Sequence, residues 1–189
     1  MTTVNRRSDN FQRYFLYFMM YCVIGWCYEV FLEVVVYRWG FSNRGVLFGP
    51  YLPVYGVGAL TFLFTLYPLL RGKTRKQKLL LVPVIFLGCA LVATAIELAA
   101  SYLCELTMGH WPWQTYARDY KIQFQGRIAL SPSIRFGLGG LLFLYGLQPL
   151  FEKLVGRMKP RTRTVVFGVV LAVVLCDTVV FVLRQVMAS

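Results

Sequence analysis

The chain alternates long apolar runs with short segments that are rich in lysine and arginine. A helix needs about 20 apolar residues to cross the hydrocarbon core of a bilayer. Five runs are long enough and predict transmembrane helices at about residues 14–37, 52–70, 79–106, 129–151 and 164–186. The pattern therefore predicts an all-α, polytopic membrane protein, in which residues 1–189 form a single transmembrane domain.

The distribution of basic residues predicts the orientation of the chain in the membrane. Thirteen of the 20 Lys and Arg residues lie before the first span, at 71–78 or at 153–163. If the chain crosses the membrane five times, these three segments lie on the same side of it. Cytoplasmic loops carry an excess of Lys and Arg. We therefore expect a cytoplasmic N-terminus, an outer location for residues 42–60 and 108–127, and a C-terminus outside. The basic start resembles a secretion signal, but its apolar run continues to about Val36, so we expect a retained span.

Composition excludes some classes of partner. Lys and Arg outnumber Asp and Glu by 20 to 8, but they cluster between apolar runs and do not follow a groove, so we expect no nucleic-acid partner. The five cysteines show no CxxC spacing, and His110 has no second histidine to join it in a metal site. We therefore expect neither a metal nor another cofactor.

Residues 42–60, SNRGVLFGPYLPVYGVGAL, interrupt the apolar pattern with four glycines and two prolines. Irregular backbone is tolerated at membrane depth only where it is buried in protein or lines a wet cavity. Pro50 and Pro53 suit the first turn of a helix, and the free N–H groups of such a turn favour anions. The stretch therefore predicts a re-entrant or broken segment at about 42–56, before the second span.

Acidic side chains occur where charges are costly. The chain has 8 acids, of which Glu29, Glu33, Glu97 and Asp177 fall within predicted spans, and Glu105 lies near an outer end. A charge at the middle of the membrane costs about 2.5–3.5 kcal/mol on insertion scales, so such residues normally have partners inside the protein. For Asp177 we favour structural pairing over a proton or cation relay, and direct contact with Arg184, seven residues away, is not expected.

The spacing of the glutamates predicts where they meet. Glu29 and Glu33 share one helix face, because residues four apart lie one above the other. Glu97, Ser101 and Glu105 repeat this spacing of four and share another face. The predicted topology brings all four to the outer level, and the arginines that enter there from loops and the fourth span are Arg44, Arg127 and Arg135. Two interpretations stay open, namely an outward-facing pocket for a solute and a structural ion-pair network.

The predicted outer loop, residues 108–127, is rich in aromatic side chains, among them Trp111, Trp113, Tyr116 and Tyr120. Tryptophan and tyrosine commonly form a belt at the membrane–water interface, and this explanation suffices for the loop taken alone. Beside the predicted cluster of acids and arginines, the loop also becomes a candidate wall of the pocket, with Trp113 as a candidate binding residue.

Several of these segments together resemble a known family. IGWCYEVF, NRGVLFGPYLPVYGVGAL, AIELAASYLCELTMGHWPW and FQGRIALSPSIRFGL are similar to bacterial membrane proteins of the ABC-transporter type IV or permease group, CmpB type. The resemblance covers about residues 20–150 and implies a multi-pass protein of the bacterial inner (cytoplasmic) membrane. The matching polar residues are Glu29, Asn43, Arg44, Glu97 and Arg127. The matching positions that shape the backbone are Gly45, Gly49, Pro50, Pro53, Tyr55, Gly56 and Gly126.

The sequence also departs from the pattern of that family. Gln114 follows Trp113, Gln123 and Gln125 precede Gly126, and Arg135 stands where an aromatic residue is usual. The substrate of the family therefore does not carry over to this chain.

The favoured function is a permease-like membrane component of a transporter, embedded in the lipid bilayer, that binds a small polar or charged solute. The candidate binding residues are Glu29, Glu33, Asn43, Arg44, Tyr55, Glu97, Glu105, Trp113, Arg127 and Arg135. No GxxxxGK[ST] pattern occurs, so a separate ATPase or other membrane subunit would supply energy. Two alternatives stay open: a membrane enzyme acting on a lipid or envelope precursor, and a non-catalytic partner or regulatory subunit. The absence of HExxH and GxSxG weighs against an enzyme.

Overall fold

The computed structural model describes residues 3–43, 45 and 47–188, and most of them are helical. The helices are α1 (Thr3–Phe31), α2 (Pro53–Thr65), α3 (Arg75–Leu80), α4 (Val82–Met108), α5 (Tyr116–Asp119), α6 (Leu130–Leu141), α7 (Gln148–Arg157) and α8 (Pro160–Ala188). The π-helical turns Leu32–Val36 and Leu142–Leu147 continue α1 and α6, and the 3-10 turn Tyr67–Leu70 follows α2. The strands β1 (Gln123–Phe124) and β2 (Ile128–Ala129) form a small antiparallel hairpin.

The helices confirm an all-α membrane protein. In the described residues, 4 helical segments are long and apolar enough to span a bilayer: Arg7–Val36, Val82–Thr107, Leu130–Arg157 and Pro160–Arg184. The second predicted span, 52–70, contains the 13-residue helix α2, which at 1.5 Å per residue is about 20 Å long and shorter than the hydrocarbon core. A fifth crossing at 52–70 therefore stays a prediction. The four longer helices indicate a membrane protein with or without it.

The chain folds into two compact units. The first unit comprises Met1–Leu60 and Pro149–Ser189, and the second unit comprises Thr61–Gln148. The prediction of one transmembrane domain stays a prediction.

In the first unit, α1 packs closely against the start of α2. The buried residues Met19, Cys22 and Tyr51 form a core cluster, and the Leu52 N–H donates to the Cys22 carbonyl at 3.0 Å. A Cβ atom at Gly56 would lie 2.5 Å from the Phe18 ring, so only glycine permits this approach of α2. The glycine-rich sequence thus brings a broken segment against a transmembrane helix.

In the second unit, small residues allow α4 and α6 to approach each other. A Cβ atom at Gly137 would lie 2.6 Å from the Phe86 ring, and the Thr94 hydroxyl donates to Ser133 Oγ at 2.7 Å. Small side chains and interhelical hydroxyl bonds are common where helices associate in membranes. This pair of helices supports the loop that contains α5 and the hairpin.

The short basic joint before α4 has clear local signals. Thr74 caps α3 by accepting the Gln77 N–H at 3.4 Å, and Gln77 Oε1 accepts the Thr74 N–H at 3.0 Å, which forms a capping box. At the other end, α4 stops at Gly109, whose φ of 74° is left-handed and suits a glycine. The loop at 108–127 therefore begins close to the end of the third predicted span.

Candidate functional site

The segment between α1 and α2 is irregular, as the sequence predicts, and the side chain of Asn43 holds it together through hydrogen bonds. The Asn43 side-chain oxygen accepts the Trp26 indole N–H at 2.9 Å, and its amide donates to the carbonyls of Leu47 at 3.1 Å and Phe48 at 3.2 Å. Backbone groups that have no helical or sheet partner are satisfied in this way. Asn43, a predicted binding residue, therefore organises the broken segment.

Glu33 is attached to the same segment. It is 5% exposed, and its carboxylate accepts the Ser42 hydroxyl at 2.7 Å and the Ser42 N–H at 3.3 Å. The carboxylate lies on the π-helical turn at the end of α1, where the chain leaves the helix. Glu33 thus has partners from the segment that directly follows it.

Asp177 of α8 fastens the other end of the broken segment. Its carboxylate accepts the backbone N–H of Phe48 at 3.0 Å, the N–H of Gly49 at 2.8 Å and the hydroxyl of Tyr51. The Arg184 guanidinium lies 4.7 Å from the centre of the Phe48 ring. The sequence favoured structural pairing for Asp177, but no residue spacing indicated that its partners are backbone amides more than 120 positions away.

Glu29 accepts the hydroxyl of Tyr55 at 2.5 Å. A Cβ atom at Gly25 would collide with the Tyr55 ring, so the glycine in IGWCYEV leaves the space that the tyrosine occupies. The structure therefore joins two predicted site residues, Glu29 and Tyr55, by a direct hydrogen bond.

Arg44 lies outside the described residues, so its predicted approach to the glutamates stays a prediction. Glu29 and Glu33 belong to the first unit, and Glu97 and Glu105 belong to the second. The convergence of the four carboxylates on one pocket likewise stays a prediction.

In the second unit, one face of α4 meets a buried arginine. Arg127 is 7% exposed, its Nη2 lies 2.5 Å from Glu105 Oε2, and its Nη1 donates to Ser101 Oγ at 3.4 Å. Ser101 and Glu105 are four residues apart and share the helix face that the sequence predicted. A charge-assisted hydrogen bond of this kind is among the stronger polar contacts in proteins.

Two aromatic rings flank the Arg127 guanidinium. Its carbon lies 4.1 Å from the centre of the Tyr102 ring and 4.1 Å from the centre of the Trp111 ring. A guanidinium over an aromatic face is attracted by the negative potential of the ring, and more strongly so where water is excluded. The sequence assigned Trp111 to an interfacial belt and missed this contact.

The hairpin presents Arg127 to α4. Between β1 and β2, Gln125 and Gly126 have φ angles of 52° and 64°, which glycine adopts readily, and Gln123 Oε1 accepts the Gly126 N–H at 2.7 Å. The indole of Trp111 donates to the Gly126 carbonyl at 3.0 Å, and that of Trp113 to the Arg127 carbonyl at 2.8 Å. Trp113 therefore fixes the backbone of Arg127.

Glu97 lies two helical turns before Glu105 on α4 and has a different partner. Its Oε1 accepts the hydroxyl of Tyr116 at 3.0 Å. Burial raises the pKa of Tyr116, and the charge of Glu97 raises it further, so this tyrosine remains a hydrogen-bond donor. Glu97, Ser101, Glu105, Tyr116, Arg127 and the rings of Tyr102, Trp111 and Trp113 are called the α4 cluster below.

Two buried polar atoms of the α4 cluster have no hydrogen-bond partner among the described residues. They are Glu97 Oε2, an acceptor, and Arg127 Nε, a donor. An unsatisfied buried polar group costs about 1–3 kcal/mol. The cluster can therefore accept one hydrogen bond and donate another to a group that is not part of the described chain.

Arg135 lies on α6 and forms none of these hydrogen bonds or ring contacts, but its charge acts to lower the pKa of Tyr116 against the larger, raising effect of burial. With Lys121 it lines a groove of about 430 Å³, whose other lining residues are Tyr120, Ile122, Leu130, Ser131 and Ile134.

Within the part of the chain that the structure describes, no group of three or more His, Cys, Asp or Glu residues is arranged for a metal ion.

A comparison with protein families matches most of the chain. The model of a family described as "Putative ABC-transporter type IV" matches residues 16–182. No curated protein and no solved structure matched the chain.

Proposed function

Because this chain belongs to the family described as putative ABC-transporter type IV, we propose that it is a permease-like membrane component of a transporter and that its α4 cluster binds a small polar or charged solute. The protein would lie in the inner (cytoplasmic) membrane with a cytoplasmic N-terminus, as the basic residues predict. A separate ATPase or other membrane subunit would supply energy.

The observation that carries this proposal is the pair of unsatisfied atoms, Glu97 Oε2 and Arg127 Nε. The two side chains are held in place through their other polar atoms. Tyr116 donates to Glu97 Oε1, and Arg127 Nη2 donates to Glu105, so Glu97 Oε2 and Arg127 Nε remain available for a hydrogen bond. A solute that carries both a donor and an acceptor would satisfy both atoms. Such a solute would offset the cost of the two unsatisfied atoms, about 1–3 kcal/mol per atom.

Residues of the first unit extend the proposal. Glu29, Glu33, Asn43 and Tyr55 surround the broken segment, and Arg44 belongs to that segment in sequence. Irregular backbone at membrane depth commonly forms the binding sites of transporters. We therefore propose these residues as a separate solute-binding region of the first unit, with Asn43 and Glu33 shaping the segment and Glu29 available to the solute.

A ligand screen on the purified, full-length protein tests the proposed binding. The melting temperature is measured with amino acids, polyamines, phosphates and other small polar or charged solutes, because a ligand that binds only the folded state raises it. A solute of the proposed kind stabilises the wild type and loses its effect with Glu97→Gln, which keeps an acceptor for Tyr116 but changes the free oxygen to an amide. The matched control is Asp119→Asn, an exposed acid of α5 in the same unit.

Uptake into vesicles that contain the reconstituted protein and its energy-supplying subunit then tests transport itself. Loss of uptake with Glu97→Gln and retention with Asp119→Asn supports the proposal. If no solute shifts the melting temperature and no solute is taken up, the transport proposal is wrong.

The contacts of Glu33 and Asp177 favour a second candidate function, a non-catalytic membrane partner or regulatory subunit. Both carboxylates are occupied by hydrogen bonds from the broken segment, as expected where acids hold helices together. For such a protein, removal of these charges lowers the melting temperature, and changes in the α4 cluster alter no binding. A membrane enzyme remains the third alternative, and product formation from a lipid extract that depends on Glu97 would favour it.

A further inference from the structure

The groove lined by Lys121 and Arg135 in the second unit is distinct from the α4 cluster. Its volume is about 430 Å³, within the range of about 300–1,000 Å³ that is usual for small-molecule sites. None of its lining residues belongs to the α4 cluster. A function of the groove therefore needs its own explanation.

The charges of the groove are of one sign. Its seven lining residues include two cations, Lys121 and Arg135, and no acid. Both cationic side chains are exposed, and neither forms an ion pair within the described residues. Because free cations next to a low-dielectric surface attract anions, the groove is complementary to a negatively charged group.

The remaining walls are apolar. Ile122, Leu130 and Ile134 line the groove, and the side chains of these three residues are 66%, 49% and 43% exposed. A small soluble anion gains nothing from apolar walls. The acyl chains of a lipid do gain from them, because burial of apolar surface is favourable. The groove thus combines an anion-binding rim with an apolar wall.

The position of Arg135 in the membrane agrees with this combination. Leu130 begins a candidate membrane span, and Arg135 follows it by five residues, or about 7 Å along the helix. A long cationic side chain near the end of a span extends to the headgroup level while its methylene groups remain in the apolar region. Tyr120, also in the groove, is an aromatic residue of the kind that lies at that level.

We propose that this groove binds one anionic phospholipid, with its phosphate between Lys121 and Arg135 and an acyl chain along Ile122, Leu130 and Ile134. A zwitterionic lipid brings a positive group close to the same cations and binds less well. Lipid recognition by basic residues at the membrane surface contributes about a factor of five per Lys or Arg.

The experiment is native mass spectrometry of the full-length protein in detergent, titrated with phosphatidylglycerol or with phosphatidylcholine of identical acyl chains. The wild type is expected to retain one phosphatidylglycerol more tightly than phosphatidylcholine. Lys121→Gln and Arg135→Gln each weaken phosphatidylglycerol binding about fivefold, and the double variant about twenty-five-fold, if each cation contributes independently. Arg135→Lys keeps the charge and remains within about twofold of the wild type.

Arg118→Gln is the matched control, because Arg118 carries the same charge in the same loop, is 82% exposed and lies outside the groove. It is expected to leave the affinity unchanged. Equal retention of the two lipids by the wild type, or an equal loss with Arg118→Gln, would overturn the proposal. Displacement of phosphatidylglycerol by inorganic phosphate at equal concentration would show a site for a free anion and would overturn it as well.

This proposal is independent of the proposed solute site. Glu97→Gln leaves the groove intact, so it is expected to leave lipid retention unchanged whether or not the α4 cluster binds a solute.

Discussion

Glu33 and Asp177 of the first unit are satisfied by the broken segment, whereas Glu97 of the second unit, like Glu29 of the first, accepts a single tyrosine hydroxyl. In the first unit, Asp177 accepts two backbone N–H groups and a hydroxyl from the broken segment, and Glu33 accepts both the N–H and the hydroxyl of Ser42. In the second unit, Glu97 accepts one tyrosine hydroxyl, and its other oxygen has no partner among the described residues.

The reason for this difference is the backbone beside each acid. Inside a helix the N–H groups are already bonded to carbonyls four residues earlier, so a carboxylate on the face of α4 depends on side chains of the loop at 108–127. An irregular segment such as 42–52 offers free N–H groups directly. The broken segment thus supplies N–H groups to Asp177 of α8, whereas Glu97 of α4 depends on loop side chains, and its Oε2 has no partner among the described residues.

Arg127→Ala is expected to have the largest effect. It removes the partner of Glu105 and the cation between two aromatic rings, with an expected loss of about 3 kcal/mol in the free energy of unfolding, because charged hydrogen bonds contribute about 1.5–3 kcal/mol and cation–π contacts add to this. Chemical denaturation in detergent measures the loss. Arg118→Ala, at an exposed position of the same loop, serves as the control and changes the free energy by less than about 0.5 kcal/mol.

Asp177→Ala is expected to rank second, with a loss of about 2 kcal/mol, because it leaves the N–H groups of Phe48 and Gly49 without their acceptor and water replaces it only in part. Limited proteolysis of the full-length protein checks the local consequence, a faster cleavage between residues 42 and 52. Unchanged cleavage would show that Asp177 does not hold the segment.

Tyr55→Phe and Tyr116→Phe form a matched pair, since each removes one hydroxyl from a glutamate. Each is expected to cost about 1 kcal/mol, the typical contribution of one hydrogen bond. In the solute screen Tyr116→Phe is expected to weaken binding more than Tyr55→Phe, because it leaves both oxygens of Glu97, the main proposed acceptor, free to move. An equal effect of both variants on binding would remove the distinction between the units.

Glu97→Gln is expected to have the smallest effect on stability. The free oxygen of Glu97 has no bond to lose, and a neutral amide is less costly to bury than a carboxylate, so the melting temperature stays the same or rises slightly. A drop comparable to that of Asp177→Ala would mean that Glu97 Oε2 has a structural partner.

Part of this arrangement was accessible from the sequence. Apolar runs of about 20 residues predict membrane helices, and spacings of four predict that Ser101 and Glu105 share a face. The glycines and prolines at 45–58 predict the break, and the Gly-Arg pair at 126–127 stood out in the family resemblance. These features depend on local periodicity and on backbone preferences, which short stretches of sequence carry.

Other contacts were not accessible in this way. The bond between Asp177 and the amides of Phe48 and Gly49 joins positions that are far apart in the chain, and backbone amides carry no residue signature. The stacking of Trp111 on Arg127 depends on a hairpin turn with left-handed φ angles at Gln125 and Gly126. Glutamine seldom adopts a left-handed φ, so Gln125 does not predict such a turn. Trp113 was predicted to bind a solute, and its role as a backbone clamp needed the same hairpin.

Glu97 Oε2 and Arg127 Nε are the proposed contacts of the solute. Native mass spectrometry of the full-length protein, purified gently from the membrane, would detect a solute bound there. We expect a bound small polar molecule in the wild type that is retained with Asp119→Asn and lost with Glu97→Gln, although the Glu97→Gln protein still folds. An identical set of bound masses in the wild type and Glu97→Gln, under conditions that keep a solute bound, would contradict it.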